Sequence, residues 1–209
     1  MKIYQATLLI TAILIMAGCS SSKQTVNRYY VIEPPDSSLI SIDQKHLLAE
    51  SHCEIAPVEI YPAFASKDIA NRSGSHELLY YKRHHWAVGP AESLTFILKD
   101  YLNQASLFKR TSKRFRGINP DFRLETTVYQ LEVVQEQESF SAHLALEFKL
   151  FSNPEERLLL SHRADRMEKL QENDLNLFAE SIGLLFFEEL NRFSEIIRNR
   201  RSEIQHSID

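Results

Sequence analysis

Residues 76–90, HELLYYKRHHWAVGP, crowd adjacent histidines, adjacent tyrosines and the chain's one tryptophan into a single run. Three uses suit such side chains: metal ligation, acid–base catalysis, or gripping a partner. Metal ligation needs imidazoles that converge. His84 and His85 are neighbours, and neighbours on an extended segment point to opposite faces. His46, His52, His76, His143, His162 and His206 are scattered, without an H-x-x-x-H pair or a cysteine pair. Only His76 and His84, across a hairpin, approach a ligand geometry, so solvated strand positions are the better expectation and no metal or cofactor is implied. Nucleophilic catalysis has no G-x-S-x-G elbow to stand on, and five glycines leave little scope for phosphate-cradling turns. Glu155-Glu156 and Glu188-Glu189 fall on a turn and on a helix face, where their carboxylates are expected in solvent. Tyr80, Tyr81, Arg83 and Trp86 are instead the types enriched at binding hot spots. With His84 they form the candidate partner-binding set. The competing role for Trp86 and Tyr80 is packing beneath the helix that follows.

What such a set can reach depends on where the chain sits. Residues 1–18 carry one early cation, Lys2, and then an apolar stretch shorter than the ~20 residues of a spanning helix. Met16-Ala17-Gly18-Cys19 is similar to the lipobox of bacterial lipoproteins, with Met16 where Leu is usual. That resemblance implies cleavage before Cys19, a diacylglycerol on its thiol and a third acyl chain on its amine. Each buried methylene contributes ~0.8 kcal/mol, and two or more chains anchor stably. Ser20, rather than Asp, implies sorting to the periplasmic face of the outer membrane by the rule of enteric bacteria. Ser20 to Asn27 is small and polar, a tether of at most ~26–29 Å. With Cys19 acylated, Cys53 has no disulfide partner. His52 and Glu54 flank it but point away on a strand, so a buried, inert thiol is expected.

The elements that would position these residues follow from periodicity. The chain is 44% hydrophobic and 25% charged, which suits one packed domain over residues 28–201 with a polar tail at 202–209. A net charge of -4 gives no reason to expect nucleic acid. RYYVIEPP reads as a first strand, and Asp36 to Ser51 as an irregular loop. HCEIAPVEIYPAF reads as an edge or bulged strand because of Pro57 and Pro62. ASKDIANRSGS reads as a connection turning at Ser73-Gly74-Ser75. Pro90 opens a helix at the position where its missing N–H costs nothing. Leu94, Ile97, Leu98, Tyr101, Leu102 and Ala105 form the apolar stripe of that helix.

Two long strands come next. Phe122, Leu124, Thr126 and Val128 share a face, and the phase then slips to Tyr129, Leu131 and Val133, which predicts a bulge near Tyr129-Gln130. Phe140 to Leu150 alternates without a break, leaving Ser141, His143, Glu147 and Lys149 on a wet face. SNPEER turns into a third strand, LLLSHRADR. A last helix is predicted over 173–199, with Asn173 as N-cap and Phe178, Ile182, Leu185, Phe186, Phe193 and Ile197 as its stripe. The predicted architecture is a two-layer α+β domain, its mixed or mainly antiparallel sheet carrying two amphipathic helices on one face.

Three segments in this order carry a resemblance. Tyr29, Tyr30 and Ile32 follow the anchor. Pro57, Val58, Ile60 and Pro62 come next, and Trp86, Ala87, Pro90 and Leu94 lead into the helix. The chain resembles the ABC-type transport auxiliary lipoproteins, the PqiC-like group, although Val88-Gly89 and Ala91-Glu92-Ser93 loosen the spacing of the third segment. The resemblance implies a non-enzymatic component of intermembrane lipid transport, docking an MCE-domain protein and its ABC permease at the outer membrane. A homo-oligomer is compatible with it. A lipid carrier with a cavity between sheet and helices, or a general envelope-assembly lipoprotein, are the alternatives.

Overall fold

A computed structural model of the chain describes residues 26–35, 48–153 and 155–206. Cys19, Ser20 and most of the tether lie outside them, as do most of the irregular stretch after Asp36 and the end of the tail.

The elements run β1 (Arg28–Tyr30), β2 (Leu48–Ile55), β3 (Glu59–Ile60), a 3-10 turn (Pro62–Phe64), β4 (Asp68–Ser73), β5 (Leu78–Trp86) and α1 (Pro90–Gln104). They continue with β6 (Phe108–Ser112), β7 (Phe122–Glu136), β8 (Ser139–Ser152), β9 (Arg157–Lys169), α2 (Leu175–Asn199) and α3 (Arg201–Gln205). The fold is α+β, as the periodicity predicts, and the sheet is mixed.

β7 is its spine. One edge pairs with β8 along its whole length, and β8 pairs with β9, both antiparallel. The other edge is shared in sequence by β2, β3 and β4, all parallel to it. β6 extends the β2 branch, and β5 then β1 extend the β4 branch. The predicted bulge is present: Val128 pairs with Leu146 and Gln130 with Ala145, so one residue of β7 is unmatched.

Both helices bury their predicted stripes. α1 covers Leu94, Ile97, Leu98, Tyr101 and Leu102, and α2 covers Phe178, Ile182, Leu185, Phe186, Phe193 and Ile197. Pro90 opens α1 after Gly89. Asp174, one residue beyond Asn173, caps α2 by accepting from the Asn176 backbone N–H at 2.8 Å. Between the layers the space is filled by rings: Phe148 of β8 lies 5.8 Å from Phe186 and 5.1 Å from Phe193.

Four expectations are corrected. The stretch read as a connection before Gly74 holds β4, whose Ile69, Ala70 and Asn71 are buried. β7 leaves its second edge to be filled there, and pairing on both sides overrides the weak strand propensity of Asp68 to Ser73. The turn at Ser73-Gly74-Ser75 does form, with Gly74 at φ +91°. The tail is not wholly polar filler, since α3 returns Ile204 to the core at 4% exposure. His143 is buried rather than wet, held by Glu132 at 3.2 Å and Asp165 at 2.9 Å. Glu189 is fully buried, not solvated. It meets His162 of β9 at 2.8 Å and Arg192 at 2.9 Å, and also pairs with Arg166. A strand that turns His162 and Arg166 under a helix requires a counter-charge there, because a buried cation without one is costly.

Candidate partner-binding edge

The candidate residues sit on β5, and an irregularity decides how they are displayed. Asp68 pairs with His85 but Ala70 with Tyr80. Two steps along β4 thus face five along β5, and three residues are looped out of the ladder. Such bulges re-aim side chains and break pairing. Within this one Tyr81 is half-buried, while Lys82 and Arg83 are exposed. Among the described residues neither cation has a carboxylate partner.

β1 seals the other side of the bulge. It pairs in parallel with β5, placing Arg28 opposite His84 and Tyr30 opposite Trp86. The Tyr30 hydroxyl lies 2.7 Å from His84 Nδ1, and the two rings stack at 5.7 Å. Tyr81 meets His84 edge-on at 5.7 Å. Burial lowers the His84 pKa, and the positive charges of Arg28, His85 and Arg83 lower it further. A neutral ring can accept the Tyr30 O–H. Burial likewise raises the Tyr81 hydroxyl pKa, keeping it a donor. His85 takes a separate partner, Asp68 Oδ1 at 2.9 Å, so the adjacent imidazoles diverge as strand geometry demands.

Tyr80 is 46% exposed and donates its hydroxyl to the Ala63 carbonyl at 3.0 Å. It does not pack beneath a helix. Trp86 is withdrawn from the candidate set: it is 1% exposed, with its ring 5.6 Å from Phe178 of α2. The edge that remains is Tyr80, Tyr81, Arg83 and His84, joined by Lys82. Lys82, which its sequence neighbourhood already places with Tyr81, Arg83 and His84 on a partner-facing surface, is exposed within the bulge.

Beyond β1 the chain continues as an extended segment across the helices. Gly183 of α2 admits it: a Cβ there would lie 2.1 Å from the Glu33 carbonyl oxygen. The segment is flanked by two open grooves. One, of about 510 Å³, runs between Tyr29, Val31 and Pro35 and the Ala179–Leu184 face of α2. The other, of about 550 Å³, runs between Val31–Pro34, Val88, Phe96 and Lys113.

Cys53 is fully buried, and desolvation raises its thiol pKa strongly. It is the inert thiol expected from its strand position. Among the described residues no cluster of three or more His, Cys, Asp or Glu has the geometry to hold a metal ion, and no helix is long and apolar enough to cross a membrane.

The residues thus form an aromatic, cationic edge on an α+β domain. The chain belongs to the ABC-type transport auxiliary lipoprotein component family, whose model matches residues 34–181. Lipoproteins of this kind are anchored at a membrane of the cell envelope. Among solved structures the fold is similar to protein XCC0632 from Xanthomonas campestris, at TM-score 0.71 and 15% identity, covering 84% of this chain and 97% of that one. It is also similar to an uncharacterized protein at TM-score 0.65 and 11% identity, covering 82% of this chain and 99% of that one. No curated protein matches the chain.

Proposed function

We propose that the protein is a non-enzymatic adaptor. Anchored through Cys19 at the periplasmic face of the outer membrane, it docks an MCE-domain protein and, through it, an ABC permease for intermembrane lipid transport. Family membership supports the transport role. One observation carries the docking role: the β5 bulge lifts Lys82 and Arg83 out of the sheet, while Tyr80, Tyr81 and His84 sit on either side. Aromatic and Arg side chains on a rigid element suit a partner interface. The tether supports the direction of docking. It holds the domain within ~30 Å of its own leaflet, so the partner spans the rest of the gap.

A photo-crosslinking residue at Arg83 in the native envelope tests this reading. An adduct with an MCE-domain protein is the expected result. Adducts confined to an outer-membrane barrel or to the cell wall refute it, and an adduct between two copies assigns the edge to self-association.

A further inference from the structure

The most concentrated charge in the chain lies away from β5. Lys109, Arg110, Lys113, Arg114 and Arg116 occupy five of eight consecutive positions, in a chain of net charge -4. No carboxylate follows until Asp121. Cations on an edge strand guard against edge-to-edge pairing. That explains Lys109 and Arg110, which lie in β6, but not Lys113, Arg114 and Arg116, which follow it.

Those three are exposed, and among the described residues none has a carboxylate partner. Their loop is built. Phe115 is held between His52, edge-on at 5.6 Å, and the Arg110 guanidinium at 5.6 Å. Ser112 Oγ donates to the Arg114 carbonyl at 2.9 Å. Lys113 also forms a wall of the larger groove, whose rim carries apolar side chains left in water: Phe96 at 65% exposure, Val31 at 47% and Val88 at 39%. Glu33 and Glu92 lie in the same groove.

We propose that this face, with Phe96, Val31 and Val88 beside the Lys113–Arg116 ridge, rests on the anionic lipid headgroups of the leaflet that holds Cys19. Charge complementarity is one argument. A cation near an anionic bilayer strengthens binding roughly fivefold. Side chains such as Phe96, set beside basic residues, are what interfacial contacts use. The second argument is chain length. Val31 follows Cys19 by twelve residues, a reach of at most roughly 40 Å, so the face can meet the surface without straining the tether. The inference rests on the lipid anchor and not on the MCE partner, so a failed crosslink at Arg83 leaves it standing. Such docking would orient the domain on its leaflet.

The test uses the full acylated chain in vesicles of phosphatidylcholine, with or without phosphatidylglycerol. With Cys19 acylated and Cys53 buried, Ile118→Cys supplies one reactive thiol for a fluorophore, and headgroup-nitroxide lipid supplies the quencher. Quenching is expected to be several-fold stronger with phosphatidylglycerol and to collapse at ~0.5 M salt, where screening is short-ranged. It is also expected to collapse when Lys113→Glu, Arg114→Glu and Arg116→Glu are added. A fluorophore at Glu138→Cys, on the β7–β8 turn, should respond to none of these. The single change Arg116→Glu should act in the same direction with smaller amplitude, guarding against misfolding of the triple variant. Quenching indifferent to anionic lipid or to charge reversal overturns the proposal. So does a ridge shielded only by added soluble envelope proteins, which would assign it to a protein partner.

Discussion

Gly183→Ala sets two effects of opposite sign against each other. Replacing glycine by alanine inside a helix is favourable by about 1 kcal/mol on propensity alone. Here the new methyl would stand 2.1 Å from the Glu33 carbonyl oxygen and 3.3 Å from its carbon. Ordinary contact begins near 3.4 Å, so the segment after β1 must retreat by more than about 1 Å. It is poorly placed to do so. Tyr30 and Ile32 are 7% and 4% exposed, and the Tyr30 carbonyl accepts from the Ala87 N–H at 2.8 Å.

Overpacking of this kind costs about 1–3 kcal/mol. Peeling the segment away would instead give up the burial of Ile32, worth about 1.5–3 kcal/mol. The clash therefore cancels or outweighs the propensity gain, and a net destabilisation of about 0–2 kcal/mol is expected. Urea unfolding followed by Trp86 emission measures it, since the sole tryptophan is buried against Phe178. Hydrogen exchange at the Ile32 and Glu33 amides should quicken in the variant. A variant about 1 kcal/mol more stable than the parent would refute the close approach of this segment to α2.

Three other outcomes follow from the buried polar groups. Glu189→Gln removes the charge that His162, Arg166 and Arg192 share, and should lower stability by about 1–3 kcal/mol. The lower end allows for Arg192, which is half-exposed and can turn to water; an unchanged urea midpoint would contradict the network. For His143, burial favours the neutral ring, but the hydrogen bonds it donates to Glu132 and Asp165 prevail and raise its pKa above the ordinary value near 6.5. Its stabilisation is then complete below about pH 6.5 and is lost as pH rises through the folded value. The urea midpoint should decline over that window, and His143→Gln should flatten the decline; an equal slope in both chains would refute the assignment. Cys53 should react with a thiol reagent only after unfolding, because burial disfavours its thiolate. Rapid labelling of the native chain would show the β2 core to be open.

Much of the architecture was legible because it depends on local periodicity. The stripes of α1 and α2, the proline start of α1, the β7 bulge and the alternation of β8 from Leu146 to Leu150 are each written within a dozen neighbouring residues. The inertness of Cys53 was legible for the same reason, since strand geometry separates it from His52 and Glu54. The candidate set on β5 was legible only as residue types. Trp86 and Tyr80 are both aromatic and lie six residues apart, and nothing local says that one packs on Phe178 while the other faces water.

Amino-acid order alone determined the class of domain and the membership of two helical faces in one core. Tertiary structure alone decided which polar groups are buried. Glu189 looks like helix-surface charge until β9 brings His162 and Arg166 beneath it, and His143 looks wet until Glu132 and Asp165 close around it. It also made a strand of Asp68–Ser73 and brought Lys113 to the same groove as Val31 and Phe96. The physical reason is common to all of these. Propensity and alternation are properties of neighbours along the chain, whereas desolvation, charge pairing and edge completion depend on segments that meet only after the chain has folded.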